Sequence, residues 1–347
     1  MPRLRRSDPS TPGIARRKQG KGFVFVDPAG ARLTDPAVLQ RIKELVIPPA
    51  WTDVWICPYP NGHLQAVGTD AAGRRQYLYH PGWRARRDAE KFDRMIAFAR
   101  ALPRLREAAA RDLEQDGLAR ERVLACAARL LDRGFFRVGS EVYAEQSGSV
   151  GLATIQKRHV SCNGESITFD YPAKGGKQRV QSVVDPAVCE VVRTLKRRRG
   201  GGDDLLAFRT RDGWVDVRSD DINSYIKEHT GADFSAKDFR TWHGTVLAAL
   251  SLAVAAPAAT SPTRQKRAMS WAVKQVSHYL GNTPAVCRAS YIDPRVFDRY
   301  RAGVTIGGVL EDVGADFTEH PAMQASIEEA VIDLIAGEDS PALERVA

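Results

Sequence analysis

The chain has 347 residues, is 43% hydrophobic, and carries a net charge of +9 with an isoelectric point near 9.4. That is long enough for two ordinary domains with buried cores and too apolar for a disordered chain. Its five cysteines (Cys57, Cys126, Cys162, Cys189 and Cys287) have no CxxC spacing, which argues against structural zinc and for a reducing, cytoplasmic setting.

The charge is unevenly spread. Residues 311–347 hold ten acidic residues and one arginine, a net of −9, so the first 310 residues carry about +18. A long basic body suits a polyanionic partner, nucleic acid above all. Residues 1–20 are basic and poor in apolar residues, so they read as a flexible basic arm rather than a secretory signal. KGFVFVD then alternates like a strand, Val38 to Val46 has a short helical pattern, and VWICPY and HLQAVGTDAAGRRQYLYH read as further strands around a turn at 70–73. Residues 21–82 are therefore expected to form a small β-rich domain that binds DNA, ending at a Pro81-Gly82 break.

Beyond it the period changes. Ala85 to Ala101 and Leu105 to Leu131 space their apolar residues as helices do, and residues 150–184 return to short strands, with an Asn163-Gly164 hairpin signal. Helices are expected over Pro186 to Arg197, Ser219 to His229, Asp238 to Ala255 and Met269 to Leu280, with Ser261 to Arg267 as a polar connection. The apolar run Val246 to Ala259 reads as a buried helix rather than a membrane span. The expected fold class is α+β: a small sheet-rich N-terminal domain, then a larger, mainly helical catalytic domain over 83–310 with a small β-hairpin or sheet. An acidic tail follows at 311–347.

Several motifs are missing. There is no GxxxxGK[ST]; AKGGKQ lacks the first glycine and the Ser/Thr. There is no HExxH and no dense carboxylate cluster of the kind a two-metal nuclease needs. Phosphodiester chemistry on this chain is expected to use neither a metal nor a nucleotide cofactor. Metal-free phosphoryl transfer needs cations on the non-bridging oxygens, and arginine suits them because its planar fork stays charged. It also needs a proton donor for the departing oxygen and a nucleophile. Tyrosine can serve as the nucleophile, although ionising a free phenol at pH 7 costs roughly 4 kcal/mol.

Candidates for each role are present. FFRVG holds Arg137 after a long apolar helix, and KDFRT holds Arg240 at the start of another. AKGGKQ puts Lys174 and Lys177 on a glycine-rich turn between strands, and LGNTPAVCRASY holds Asn282 and Tyr291. Singly, each has an ordinary structural reading. Arg137 can snorkel, Arg240 can pair with Asp238, the lysines can be a solvated hairpin tip, Asn282 can cap a helix, and Tyr291 can pack.

Taken in order, this constellation resembles the type IB DNA topoisomerases, in particular the compact poxvirus and bacterial kind, over most of the chain. The resemblance implies Tyr291 as nucleophile, Arg137 and Arg240 as phosphate clamps, and Lys174 as general acid. Asn282 stands where most members have histidine, and its NH₂ donor has a similar reach. GRRQYLYH resembles the family's DNA-contacting strand. By alternation Arg75, Tyr77 and Tyr79 share one face, and Gln76, Leu78 and His80 the other; the expected DNA contacts are Arg74, Arg75, Gln76, Tyr77, Tyr79 and His80. Lys196 to Arg199 and Arg264 to Arg267 are further phosphate candidates. The resemblance implies a monomer that cuts and reseals one strand of double-stranded DNA in a bacterial cytoplasm, at the nucleoid and with no membrane partner. Two alternatives stay open: a tyrosine recombinase, although Lys237 stands where those enzymes usually have the histidine of His-x-x-Arg, and a non-enzymatic duplex-binding protein.

Overall fold

The computed structural model describes residues 3–141, 144–145, 148–313 and 321–345. The chain divides into two compact units, residues 1–92 and 93–347.

The first unit is built on a five-stranded antiparallel sheet: β1 (Ile14–Gln19), β2 (Gly22–Val26), β3 (Thr52–Ile56), β4 (Leu64–Thr69) and β5 (Arg75–Tyr79), in the order β2-β1-β3-β4-β5. Helix α1 (Pro36–Glu44) starts at Asp35, whose carboxylate accepts from the Ala37 amide at 2.8 Å, with proline in its first turn. Ile14, Ile42, Val54, Ile56 and Ala66 form the core, and Leu78 of β5 packs against it.

The expected flexible arm is not there. Residues 14–19 of that stretch are β1, with strands on both sides, and Ser7 is tied to His63 and Leu64. Basic residues that look like a solvated run serve as structural donors. Arg16 bonds the carbonyls of Pro48 (3.1 Å) and Trp51 (2.6 Å), and its guanidinium lies 4.2 Å from the Phe23 ring centroid. The expected break at Pro81-Gly82 is instead the first turn of helix α2 (Pro81–Leu113), and the division between units falls later, after Phe92.

In the second unit α2 is followed by α3 (Arg120–Gly134) and a three-stranded antiparallel sheet, β6 (Val160–Asn163), β7 (Ser166–Ala173) and β8 (Lys177–Val184). After α4 (Pro186–Arg197) comes a short hairpin, β9 (Ala207–Thr210) and β10 (Gly213–Asp216), with too little alternation to be read from sequence. Helices α5 (Ser219–Thr230), α6 (Ala236–Ala255), α7 (Pro262–Leu280), α8 (Pro284–Ser290), α9 (Pro294–Arg301), α10 (Gly307–Val313) and α11 (Pro321–Ala336) complete it, with a two-residue pairing of β11 (Val304–Thr305) and β12 (Glu344–Arg345). The α+β class expected from sequence is the observed one. The core gathers Phe98, Leu124, Leu130, Phe136, Phe169, Phe239 and Trp242. Phe98 meets Phe239, and Phe136 meets Phe169, edge to face.

Three local readings change. The Ser261 to Arg267 connection is the start of α7, since Ser261 accepts from the Arg264 amide and Pro262 opens the helix. Residues 152–159 form two short 3₁₀ turns, so strand begins only at Val160. Arg198, expected on a phosphate-facing run, is buried and donates to the carbonyls of Leu195 and Leu205. Helix α6 is long and apolar enough to cross a membrane by length and composition, yet much of it lies inside the core. Within the acidic tail, residues 314–320 and 346–347 lie outside the described residues; the rest includes α11.

A buried ionic knot anchors α11. Arg106 of α2 forks onto Asp132 of α3 (2.8 and 2.9 Å) and onto Glu328 of α11 (2.6 and 2.8 Å), and the Trp242 indole donates to Glu328. Burial alone would raise the Asp132 carboxyl, but the adjacent His243 and then Arg106 outweigh it and hold it below the usual carboxylate range. A depressed carboxyl contributes stability above its unfolded pKa and loses it as pH falls through the folded value. Asp132→Ala removes one of the two carboxylates on the Arg106 guanidinium and leaves Glu328 as its remaining partner, so it should lower stability by about 1–3 kcal/mol, read as a lower urea midpoint at unchanged slope.

Candidate active site

Helix α6 begins at Ser235, which is held in a capping box with Asp238. This start fixes Arg240, 4% exposed, in the second turn of the helix. The Arg240 fork is not paired with Asp238. Its Nη1 donates to the Phe135 carbonyl (2.7 Å) and its Nη2 to the Leu280 carbonyl (2.8 Å), leaving its buried Nε without a partner. Phe135, just past the end of α3, takes φ 55° and so turns its carbonyl toward Arg240 and the chain toward Arg137.

At the end of α7, Gly281 adopts φ 60°, the left-handed cap that lets the chain turn back. Its carbonyl and the Asn282 side-chain oxygen both accept from Arg137 Nη2, at 3.1 and 2.6 Å. The Asn282 Nδ2 is buried with no hydrogen-bond partner, which leaves a donor available to an incoming acceptor. Thr283 then caps α8, with Pro284 in its first turn, and α8 ends at Tyr291, whose ring centroid lies 5.4 Å from the Arg240 guanidinium carbon.

Gly244, one turn after Arg240, explains how Tyr291 comes this close. A methyl group there would sit 2.5 Å from the Tyr291 carbonyl oxygen. The next link is also fixed: Thr245 accepts from the Asp293 amide at 3.1 Å, and the buried Asp293 binds Arg295 at 2.7 Å. Gly244→Ala should therefore displace Tyr291 while leaving the fold intact. For the nucleophile that the family resemblance implies at Tyr291, a shift of this order is expected to slow single-turnover DNA cleavage about 10- to 100-fold without weakening duplex binding.

Lys174 and Lys177 are exposed at the β7–β8 hairpin, where Ala173 pairs with Lys177 around Gly175 and Gly176. Both line a groove of about 680 Å³ together with Arg137, Asn282 and a residue not singled out from sequence, Arg179. Arg179 Nε donates to Gln181 (2.6 Å) and its Nη2 to the Tyr279 carbonyl. Its signal was available in the β8 alternation, which puts Arg179 on the face of Gln181 and opposite Tyr171. Among the described residues none of Arg137, Arg179 and Arg240 forms an ion pair with a carboxylate. Burial first, and then repulsion from Arg137, push Arg240 down to about 10, while Tyr291 works the other way. A cluster of guanidinium groups left without counter-ions, beside an unused amide donor, is suited to an anion of phosphodiester shape.

The family described as eukaryotic DNA topoisomerase I, catalytic core, matches residues 80–316, which contain this whole constellation. The DNA topoisomerase 1B of Acanthamoeba polyphaga mimivirus is 30% identical over 296 residues, covering 83% of this chain and 88% of the viral protein. The chain belongs to the type IB DNA topoisomerase family. The bacterial DNA topoisomerase IB N-terminal domain matches residues 22–70. Vaccinia virus DNA topoisomerase 1B is 21% identical over 290 residues, 81% of this chain and 88% of its own length. DNA topoisomerase 1 beta of Arabidopsis thaliana is 25% identical over 48% of this chain but only 17% of its own length.

In this topoisomerase the expected DNA-contacting strand is β5, at the edge of the N-terminal sheet. Arg75, Tyr77 and Tyr79 point outward, the two tyrosine rings stacked 6.3 Å apart, as the alternation predicts. Gln76 and Arg74 are less free than expected. Both side chains donate to Asp70 Oδ2, at 2.9 Å for Gln76 and 2.8 Å for Arg74. His80 is half-buried and accepts from the Gly82 amide. The structure thus separates an outward set (Arg75, Tyr77, Tyr79) from a set used to shape the turn and the start of α2.

Proposed function

We propose that this type IB topoisomerase relaxes supercoiled duplex DNA through a transient 3′-phosphotyrosyl link at Tyr291. Arg137 and Arg240 clamp the non-bridging oxygens of one phosphodiester, and the Asn282 amide donates to one of them. The Tyr291 phenolic oxygen attacks phosphorus as its proton leaves to solvent, the P–O5′ bond breaks, and Lys174 protonates the departing 5′-oxygen. The nicked duplex then rotates about its intact strand. Attack by the 5′-hydroxyl on the phosphotyrosyl bond restores the phosphodiester and the phenol, so the bond energy is kept and no nucleotide is consumed.

The observation that carries this reading is the pair Arg137–Arg240, ion-paired with no carboxylate among the described residues and held by the carbonyls of the Leu280–Gly281 turn, with the Tyr291 ring 5.4 Å from Arg240. A merely packed tyrosine has no need of two counter-ion-free arginines beside it. Arg240 remains charged at neutral pH even when lowered to about 10. The basic body and the outward face of β5 support duplex DNA as partner, and the residues 22–70 match supports a bacterial cytoplasm as the setting. The enzyme works as a monomer on DNA.

The test is relaxation of positively and negatively supercoiled plasmid in EDTA without ATP. Relaxation of both supports the proposal; an enzyme that binds duplex but relaxes neither sinks it.

A further inference from the structure

Arg179 has no part in the steps above, yet it stands among the groups that carry them. It projects from β8 opposite Tyr171 and lines the groove shared by Lys174, Arg137 and Asn282. A methyl group built on Gly281 would lie 2.8 Å from Arg179 Nη1 and 4.0 Å from Arg137 Nη1, so two guanidinium groups flank one glycine. Through the Tyr279 carbonyl Arg179 joins the hairpin bearing Lys174 to the end of α7, one residue before the carbonyl that holds Arg240. Burial first, and more weakly the nearby Arg137 charge, disfavour its ionised form; the Tyr171 phenol works the other way, and no carboxylate among the described residues pairs with it. A half-buried cation kept in such surroundings is destabilised until an anion completes the site. A phosphodiester carries one negative charge in the ground state and gains more as it becomes pentacoordinate, so an added cation favours the second state over the first.

We propose that Arg179 is a positioning residue for cleavage: it ties the Lys174 hairpin to the end of α7 at Tyr279 and adds a third guanidinium charge that counts as charge builds on the scissile phosphate, an assignment that rests on reading Tyr291, Arg137 and Arg240 as the cleavage site.

The experiment is single-turnover cleavage by the full-length chain of an end-labelled duplex, with Arg179→Gln beside the unsubstituted protein. Cleavage should slow about 10- to 100-fold while duplex affinity is unchanged. On a duplex whose scissile phosphate is replaced by a neutral methylphosphonate, that loss should largely disappear, because less charge needs stabilising. An equal loss on both substrates would make Arg179 a structural strut and overturn the proposal, as would normal cleavage of the charged duplex. Tyr291→Phe run in parallel separates the two levels. If it still cleaves, the site reading has failed; if it is inactive while Arg179→Gln is normal, only the role of Arg179 has. Should Arg179→Gln not fold, Arg179→Lys keeps the charge and loses the fork. With the charge kept, that variant should cleave the charged duplex within about 10-fold of the unsubstituted protein, and a loss of about 100-fold or more overturns the proposal.

Discussion

Tyr291→Phe should bind duplex DNA as the unsubstituted chain does, form no covalent adduct and relax no plasmid. The substitution removes one oxygen and leaves the ring. The ring's contact with Arg240 and the packing of its backbone against Gly244 are kept, so the fold has no reason to change. What disappears is the only atom that the proposed mechanism allows to bond phosphorus. The expected loss is to background, because without the nucleophile the remaining cations can stabilise charge but have nothing to attack with. A residual activity of more than a small fraction of the starting rate would point to another nucleophile. Urea unfolding of both proteins, with coincident midpoints, excludes a folding explanation.

Arg240 should be the next most sensitive position, and two substitutions divide its roles. Arg240→Lys keeps a charge but cannot bridge the Phe135 and Leu280 carbonyls while also offering a fork to phosphate, so single-turnover cleavage should fall about 10²-fold. Arg240→Ala removes the charge as well and should cost on the order of 10³-fold. It also strands two buried carbonyls, which is expected to lower stability by roughly 1–3 kcal/mol. Both variants should retain most of their duplex affinity, since the outward residues of β5 and the rest of the basic body still meet the backbone. If Arg240→Lys cleaves normally, the fork geometry is irrelevant and Arg240 acts only as a point charge or a structural brace.

Much of this site was legible in the sequence because its parts sit on short, strongly punctuated segments. The Gly281-Asn282-Thr283-Pro284 run announces a helix end and a new helix start, and the structure has a left-handed cap followed by a threonine-capped helix at these residues. The Ala173–Lys177 turn was equally readable from its glycines. Less legible were functions carried by the backbone. The carbonyls of Phe135, Leu280 and Gly281 orient both arginines, and no side-chain motif encodes a carbonyl. Gly244 looks like a weak spot in a helix until the Tyr291 backbone is found against it.

The basic segments were misread for a related reason. Arg16 and Arg198 look like members of charge runs, but each spends its donors on backbone carbonyls of its own fold. Arg179 is not legible as part of the site because the contact that brings it there, the Tyr279 carbonyl, is 100 residues away in sequence. Net charge speaks to the partner's class; which cations remain free for that partner depends on contacts that only the folded chain brings together.

The most direct test of the account is to trap the adduct on a 5′-end-labelled suicide duplex, digest it with trypsin and find the peptide that carries the nucleotide. The account predicts residues 289–295, modified at Tyr291, joined to the 3′ end of the cut strand, with a free 5′-hydroxyl on the released fragment. Nucleotide on any other peptide, or a tyrosine joined to a 5′-phosphate, would contradict it.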